Sequence, residues 1–167
     1  MKLSSLKKVP LEIAQSLAEN KKIVNLIYND NSTVLTDEDV KISMQKLIEE
    51  NYIGFYPAIE SGINDIDRNT FIIINLEDFN FQQRDSNIGV NGVIYITTNK
   101  SHSMLDKNRL RMLELADEIE GTLENCKLSA AGRITILNMN YVVFSDFRCG
   151  YRINFKLSDQ QSRRAEL

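Results

Sequence analysis

Tryptophan is absent from this chain of 167 residues, and histidine, cysteine and proline are scarce. The two cysteines, Cys126 and Cys149, are far apart and belong to no CxxC motif or histidine pair. Two reduced, partly buried thiols are therefore expected instead of a disulfide scaffold or a zinc site. The single histidine, His102, lies in a polar stretch without a nucleophile motif, which argues against Ser–His–Asp catalysis.

The chain also lacks a basic excess and long apolar runs. It has 20 basic and 23 acidic residues, which disfavours a protein that grips DNA along its phosphates but is compatible with a local basic patch. Apolar runs such as residues 71–74 are too short to span a membrane. Lys7 and Lys8 are followed by Pro10 and Glu12 and not by an apolar segment, so no secretory signal is expected. We expect a soluble protein made in a reducing cytoplasm, with no membrane partner.

The residues that are present have an ordinary globular composition, with 43% hydrophobic and 26% charged side chains. This length suits one domain with a sizeable core. We assign residues 1–158 to a single α+β domain. Residues 159–167 are polar and lack a core face, so we expect them to form a mobile C-terminal tail.

The stretch from Ile88 to Leu123 predicts the centre of the fold. Residues 88–98 are rich in β-branched and aromatic side chains and are apolar on both alternating faces, which is typical of a strand buried on both sides. A helix is predicted over 106–123, because the apolar residues there recur at helical spacing. Leu110 lies opposite the buried stripe of this helix and should face away from the core. The stripe comprises Leu105, Met112, Leu115, Ala116, Ile119 and Leu123.

A long β-hairpin is predicted over residues 70–98. Its first arm begins with the strand 70–76, and Phe79 and Phe81 continue the alternation beyond it. The polar segment 82–87 is the predicted turn. Each arm is about a dozen residues, or about 35–40 Å, so the tip should project beyond the core. The two phenylalanines either contact a partner there or pack back onto helices of the same chain.

The rest of the sequence supplies helices before the hairpin and strands after the main helix. One long helix or two short ones are expected near the N-terminus, and we favour two, with Leu11, Ala14, Leu17 and Ala18 on the buried stripe of the first. A further helix should begin near Thr36 and bury Leu47. The last strands are predicted at 133–137 and 150–157, and 141–144 is either a short strand or part of the intervening turn. The apolar residues of segment 52–69 show neither helical nor strand periodicity. The predicted fold class is α+β, a mostly antiparallel sheet of about four or five strands packed by two to four helices, with a long projecting hairpin.

Candidate catalytic chemistry is sparse. Asp65, Asp67, Glu77 and Asp78 could in principle hold the divalent metal of a small nuclease. Such sites usually place a lysine beside acids on one strand. Residues 96–99, which come directly before Lys100, include no acid. A solvated face explains these acids better. We assign no catalytic, cofactor-binding or metal-binding residue.

The order of elements nevertheless resembles one protein family. The residues that carry the resemblance are Asn25–Tyr28, Leu47-Ile48, Arg109-Leu110, Glu118-Ile119 and Cys149–Phe155. Together with the long hairpin, they resemble the tail-terminator and neck (head–tail connector, tail-completion) proteins of tailed phages of Gram-positive bacteria. The similarity covers most of the chain and includes no catalytic motif.

This resemblance implies an α+β structural protein of the virion that works as a ring, usually a hexamer. The ring caps the tail tube and offers the surface to which the head docks, so the partners would be copies of the chain, the tail-tube protein and a head-side neck protein. DNA would pass through without specific binding. The alternatives are another neck ring, a metal-dependent nuclease and a cytoplasmic adaptor. From the residues themselves, the predicted partner surface comprises Phe79, Phe81, Arg84, Asp85, Leu110, Arg163 and Arg164.

Overall fold

A computed structural model of the chain describes residues 6–28, 46–50, 52–55, 70–81, 88–103, 110–124, 126–129 and 132–158. For residues 78–81, 88–89, 102 and 158 it describes the backbone alone. These residues form one six-stranded sheet with helices packed on one face. The predicted α+β class is confirmed.

Within the described ranges, three helices of eight or more residues and six strands form the fold. The helices are α1 (Val9–Ala18), α2 (Lys21–Tyr28) and α3 (Arg111–Glu124). The strands are β1 (Ile53–Gly54), β2 (Thr70–Phe81), β3 (Ile88–Asn99), β4 (Lys127–Leu128), β5 (Gly132–Val143) and β6 (Arg148–Ser158). A short 3-10 helix, Lys100–His102, follows β3, and residues 46–49 are helical.

The strand order across the sheet is β1-β2-β3-β6-β5-β4, and every neighbouring pair is antiparallel except the parallel pair β1–β2. β3 is therefore an interior strand, and Val93 and Thr97, on the face away from the helices, are both fully buried. The prediction of a strand buried on both sides is confirmed. The sheet has six strands, whereas four or five were predicted. The additional strands are β1 and β4, which have two residues each and are too short to show a strand periodicity.

The predicted hairpin is formed by β2 and β3, which have 12 residues each. Their pairing runs from Thr70 opposite Thr98 to Phe81 opposite Ile88. The ladder between β3 and β6 begins only at Val90, so the hairpin extends two residue pairs past it. The connecting residues 82–87 lie outside the described part of the chain.

One apolar core fills the space between the helices and the sheet. The stripe predicted for α3 is buried from Met112 onwards, and residues 104–109, including Leu105, lie outside the described ranges. Each fully buried leucine or isoleucine stabilises the fold by about 1.5–3 kcal/mol relative to an exposed one. The sheet contributes Ile72, Ile74, Val90, Ile94, Ile96, Ile134, Ile153, Phe155 and Leu157.

Two N-terminal helices are present, as predicted, and Asn20 separates them. The Asn20 side-chain oxygen accepts hydrogen bonds from the backbone N–H groups of Lys22 (2.9 Å) and Ile23 (3.4 Å), which is an N-terminal cap for α2. The placement of Leu11 on the buried stripe of α1 is wrong, because Leu11 is 43% exposed while Ile13 is fully buried. A stripe through Val9, Ile13, Ala14, Leu17 and Ala18 fits the helical period better.

Arg111, the first residue of α3, is 1% exposed. Its Nη1 donates a hydrogen bond of 2.6 Å to the carbonyl oxygen of Leu26 in the last turn of α2. Carbonyl groups of a last turn have no partner within their own helix, and a cation beside them is favourable. Arg111 therefore joins α3 to the C-terminal end of α2.

Two bulges and a glycine lie near one row of the sheet. The row runs from Leu76 through Gly92 and Phe155 to Ile136. The pairing skips Glu77 in β2 and Leu137 in β5, next to this row. A β-carbon added at Gly92 would overlap the ring of Phe155, so the aromatic ring occupies the space above the glycine. Bulges and glycines of this kind bend a sheet locally.

The bulge at Leu137 also explains an error in predicting β5. The period indicated a strand that ends at Leu137, whereas β5 continues to Val143, and residues 141–143 belong to it. Ile136 and Met139 pair with Phe155 and Ile153, which share one face of β6, so the parity of the buried positions changes at the bulge. Strict alternation therefore breaks although the strand does not.

Candidate interaction surface

Of the seven predicted partner residues, the described part of the chain includes Phe79, Phe81 and Leu110. Leu110 is 39% exposed, and it directly precedes α3. The backbone places Phe79 opposite Val90 and Phe81 opposite Ile88, at the outer end of β2. Arg84, Asp85, Arg163 and Arg164 lie outside the described residues, as does the C-terminal segment 159–167. The interface role of all seven residues stays a prediction.

A different surface is formed by the outer edge of β5. β4 pairs only with Gly132 and Arg133 of this strand. From Ile134 to Val143, no strand among the described residues pairs with the outer side of β5. The backbone of an edge strand presents unpaired N–H and C=O groups along its length, which makes it a template for another strand.

The same strand carries the most exposed large apolar side chains of the described residues. Leu137 is 53% exposed, Tyr141 54% and Val143 57%, and Phe147 in the turn after β5 is 74% exposed. We call these four residues the β5 patch. A single exposed apolar residue needs no explanation, but several along one open edge indicate a contact surface.

The turn that carries Phe147 is held in place by backbone hydrogen bonds. The N–H groups of Phe144 and Ser145 donate to the carbonyl oxygen of Arg148 at 3.0 and 3.2 Å. The N–H of Lys100, after β3, donates to the carbonyl oxygen of Phe147 at 2.8 Å. Phe147 is therefore exposed from a turn fixed to the body of the sheet.

Tyr141 of the β5 patch also contacts residues of β6 in the same chain. Its ring meets the ring of Tyr151 edge-to-face, with centroids 5.9 Å apart. Contact with the Cys149 thiol, followed by burial, raises the pKa of the Tyr141 phenol above its usual value. The ring and the phenol of Tyr141 are thus both in contact with β6 of the same copy.

The sheet face away from the helices carries arginines stacked on aromatic rings. The guanidinium of Arg148 lies 5.1 Å from the centroid of the Phe71 ring, and that of Arg152 lies 5.7 Å from the Tyr95 ring. Arg152 Nη2 also donates to Glu77 Oε2 at 3.0 Å. Burial lowers the pKa of Arg148, and burial, opposed by Arg152, raises the pKa of Tyr95. These contacts tie β2, β3 and β6 together across the face.

Charge is segregated between this face and α3. Neither β3 nor β5 nor β6 contains an acidic residue, whereas α3 contains five, at Glu114, Asp117, Glu118, Glu120 and Glu124. The register places five cations on the face away from the helices: Lys127, Arg133, Arg148, Arg152 and Lys156. Two of them add little free positive charge to the surface, because Arg148 is 6% exposed and Arg152 is ion-paired with Glu77.

The acids considered for a nuclease are not assembled into a site by the described residues. Asp65 and Asp67 lie outside those residues, and of Asp78 only the backbone is described. Glu77, whose side chain is described, is ion-paired with Arg152. Within the described ranges, no three His, Cys, Asp or Glu side chains are grouped so that they could hold a metal ion.

A family model, YomW, matches residues 20–157. The chain belongs to the YomW family. The family bears the name of a prophage-type gene product, and membership indicates a phage-associated protein. No curated protein and no solved structure matches the chain. None of the helices in the part of the chain that is described is long and apolar enough to cross a membrane.

The β5 patch was not predicted from the sequence, because two of its properties depend on residues outside the strand itself. The open edge depends on strand order, which follows from the long-range pairing of β3 with β6. The exposure of Tyr141 and Val143 depends on tertiary packing, which local periodicity does not give. One local sign was available: the run from Ile134 to Val143 is rich in apolar residues and contains no charge and no proline.

Proposed function

We propose that this YomW-family protein is a structural, non-enzymatic component of a phage particle that acts as a ring of identical copies. The role we favour is tail terminator, a ring that caps the tail tube and offers the surface to which the head docks. Family membership supports a phage-associated protein. The open, apolar edge of β5 is the single observation that supports self-assembly most directly.

A ring needs a heterologous interface, in which one surface of a copy meets a different surface of the next. The two edges of this sheet differ, since one is β5 with short β4 at its end and the other is β2 with short β1 at its end. Two unlike open edges on one subunit suit head-to-tail assembly. In the proposed ring, the other partners are the tail-tube protein and a head-side neck protein, and DNA passes without specific binding.

Deletion of the gene in its phage or prophage tests the role in the particle. After induction, electron microscopy of the lysate should show tails of uncontrolled length, and supplying the gene in trans should restore a single tail length. Tails of normal length that fail to join filled heads would instead indicate another neck ring. Normal particles without this protein would contradict a virion function of either kind.

A further inference from the structure

We propose that the open edge of β5 receives the outer half of β2 from a second copy of the chain, which adds to the sheet as an antiparallel strand. This inference rests on the proposed self-assembly and identifies the two surfaces that make the contact. It differs from the sequence-based prediction, which named the hairpin but not the surface that receives it.

The first step is that both edges of the sheet are largely unpaired. β4 covers only Gly132 and Arg133 at one end of β5, and β1 covers only Ile72 and Ile73 of β2. Within the described part of the chain, the open segments are 134–143 of β5 and 74–81 of β2. Both are long enough to form an intermolecular ladder.

The second step is that the edge of β5 lacks most of the usual protection against pairing. Monomeric proteins keep their edge strands apart with charged side chains, proline, bulges or covering segments. Residues 134–143 contain no charge and no proline, and a bulge at Leu137 is present. Three residues of the β5 patch, Leu137, Tyr141 and Val143, lie on this strand and expose apolar area. We expect an edge strand with this composition to pair with another strand in the assembled protein.

The third step identifies the occupant by strand direction. β2 is antiparallel to β3, β3 to β6 and β6 to β5, so β5 runs opposite to β2 within one copy. A second copy that continues the sheet in the same sense therefore presents its β2 antiparallel to β5. The outer half of β2 contains Glu77 and Asp78 and no base, and β5 contains no acid, so like charges are not placed opposite each other.

The fourth step concerns the offset between copies. β1 lies beside Ile72 and Ile73, near the end of β2 where the chain enters the sheet, and β4 lies at the opposite end of the sheet, beside Gly132 and Arg133. The two open segments are therefore displaced along the strand direction, and pairing them requires a stagger between copies. Strands of closed barrels are likewise staggered and tilted, and the rotation between copies decides whether such contacts close into a ring.

Hydrogen–deuterium exchange of the full chain, compared between dilute and concentrated samples, tests this contact. Slower exchange on assembly is expected in two segments, 134–143 and 74–81, because their backbone N–H groups enter an intermolecular ladder. Protection confined to other segments would overturn the inference. Protection of 134–143 alone, together with a dimer, would replace it with symmetric pairing of two β5 strands.

Substitutions give a second measurement. Tyr141→Glu and Leu137→Glu should each weaken self-association at least about tenfold, since each puts a negative charge into the apolar contact, facing the strand that carries Glu77 and Asp78. The matched control is Leu113→Glu, because Leu113 is 48% exposed on α3, outside both edge strands, and should leave association unchanged. Unchanged association in both β5 variants would also overturn the inference.

The failures of the two proposals are distinguishable. If copies assemble but the exchange protection and the β5 variants indicate another contact, the ring remains and only the assigned surface is wrong. If the wild-type chain stays monomeric at every concentration and beside the tail-tube protein, both proposals are wrong. Circular dichroism of each variant checks that it folds, and the exchange measurement on the wild type needs no variant.

Discussion

Gly150 is the residue at which the backbone allows the least change. It lies in β6 between β3 and β5, and a β-carbon added there would overlap the carbonyl oxygen of Ile96. Backbone atoms at the centre of a sheet cannot move aside without breaking the ladder. Glycine at this position is therefore a packing requirement.

Gly150→Ala should lower the free energy of unfolding by about 2–4 kcal/mol, the cost of a severe overlap in a packed interior. Gly121→Ala is the matched control, because Gly121 lies in α3 and no atom lies within 4 Å of the added carbon. That control should raise stability by about 0.5–1 kcal/mol through helix propensity. Urea denaturation of both variants checks the contrast, and equal effects would contradict the close approach.

Arg111→Met should lower the free energy of unfolding by about 2–3 kcal/mol. The substitution keeps most of the side-chain volume but leaves the buried carbonyl of Leu26 without its charged donor. Lys22→Met is the control, because Lys22 is exposed and its ion pair with Glu118 (2.8 Å) is screened by water, so no measurable change is expected. Thermal unfolding of the pair distinguishes a buried helix contact from a surface charge, and similar melting temperatures for the two variants would argue against this role for Arg111.

At the scale of elements, α3 is the clearest case in which a sequence period fixes a buried face. Leu115 is fully buried and Leu113, two positions earlier, is 48% exposed. Leu115→Ala should cost about 2–5 kcal/mol of stability, while Leu113→Ala should stay within about 0.5 kcal/mol of the wild type. Chemical denaturation measures both. A large loss in Leu113→Ala would mean that the orientation of α3 on the sheet is wrong.

Strand prediction succeeded where alternation is unbroken and failed at the bulge. In β6, the buried Ile153, Phe155 and Leu157 alternate with polar residues, and this strand was predicted almost to its ends. In β5, the extra residue Leu137 reverses the parity, so the second half of the strand was not joined to the first. Local pattern determines an element only while its register with the neighbouring strand stays regular.

The order of the strands, and which of them lie at the edges of the sheet, cannot be predicted from the local sequence pattern. The hairpin of β2 and β3 was predictable because its arms are adjacent in sequence. The pairing of β3 with β6 places Val90 opposite Leu157. Because β6 pairs with β5 on its other side, this long-range pairing places β5 near the outside of the sheet. The candidate site depends on that pairing, so its residues, apart from their apolar character, could not be chosen from the sequence.

At the scale of the whole molecule, an ordinary composition conceals an uneven surface. The net charge of −3 combines a helix with five acids and a sheet face with five cations. The two sheet edges are likewise unlike each other, one apolar and one containing Glu77 and Asp78. A subunit with unlike surfaces forms heterologous contacts, which close into rings or extend into filaments.

Native mass spectrometry of the full chain, alone and mixed with the tail-tube protein of the same phage, tests the central claim most directly. Self-assembly through unlike edges predicts one closed oligomer of defined copy number in at least the mixed sample. A monomer at every concentration in both samples would contradict the claim that this protein works by the surface it offers to copies of itself.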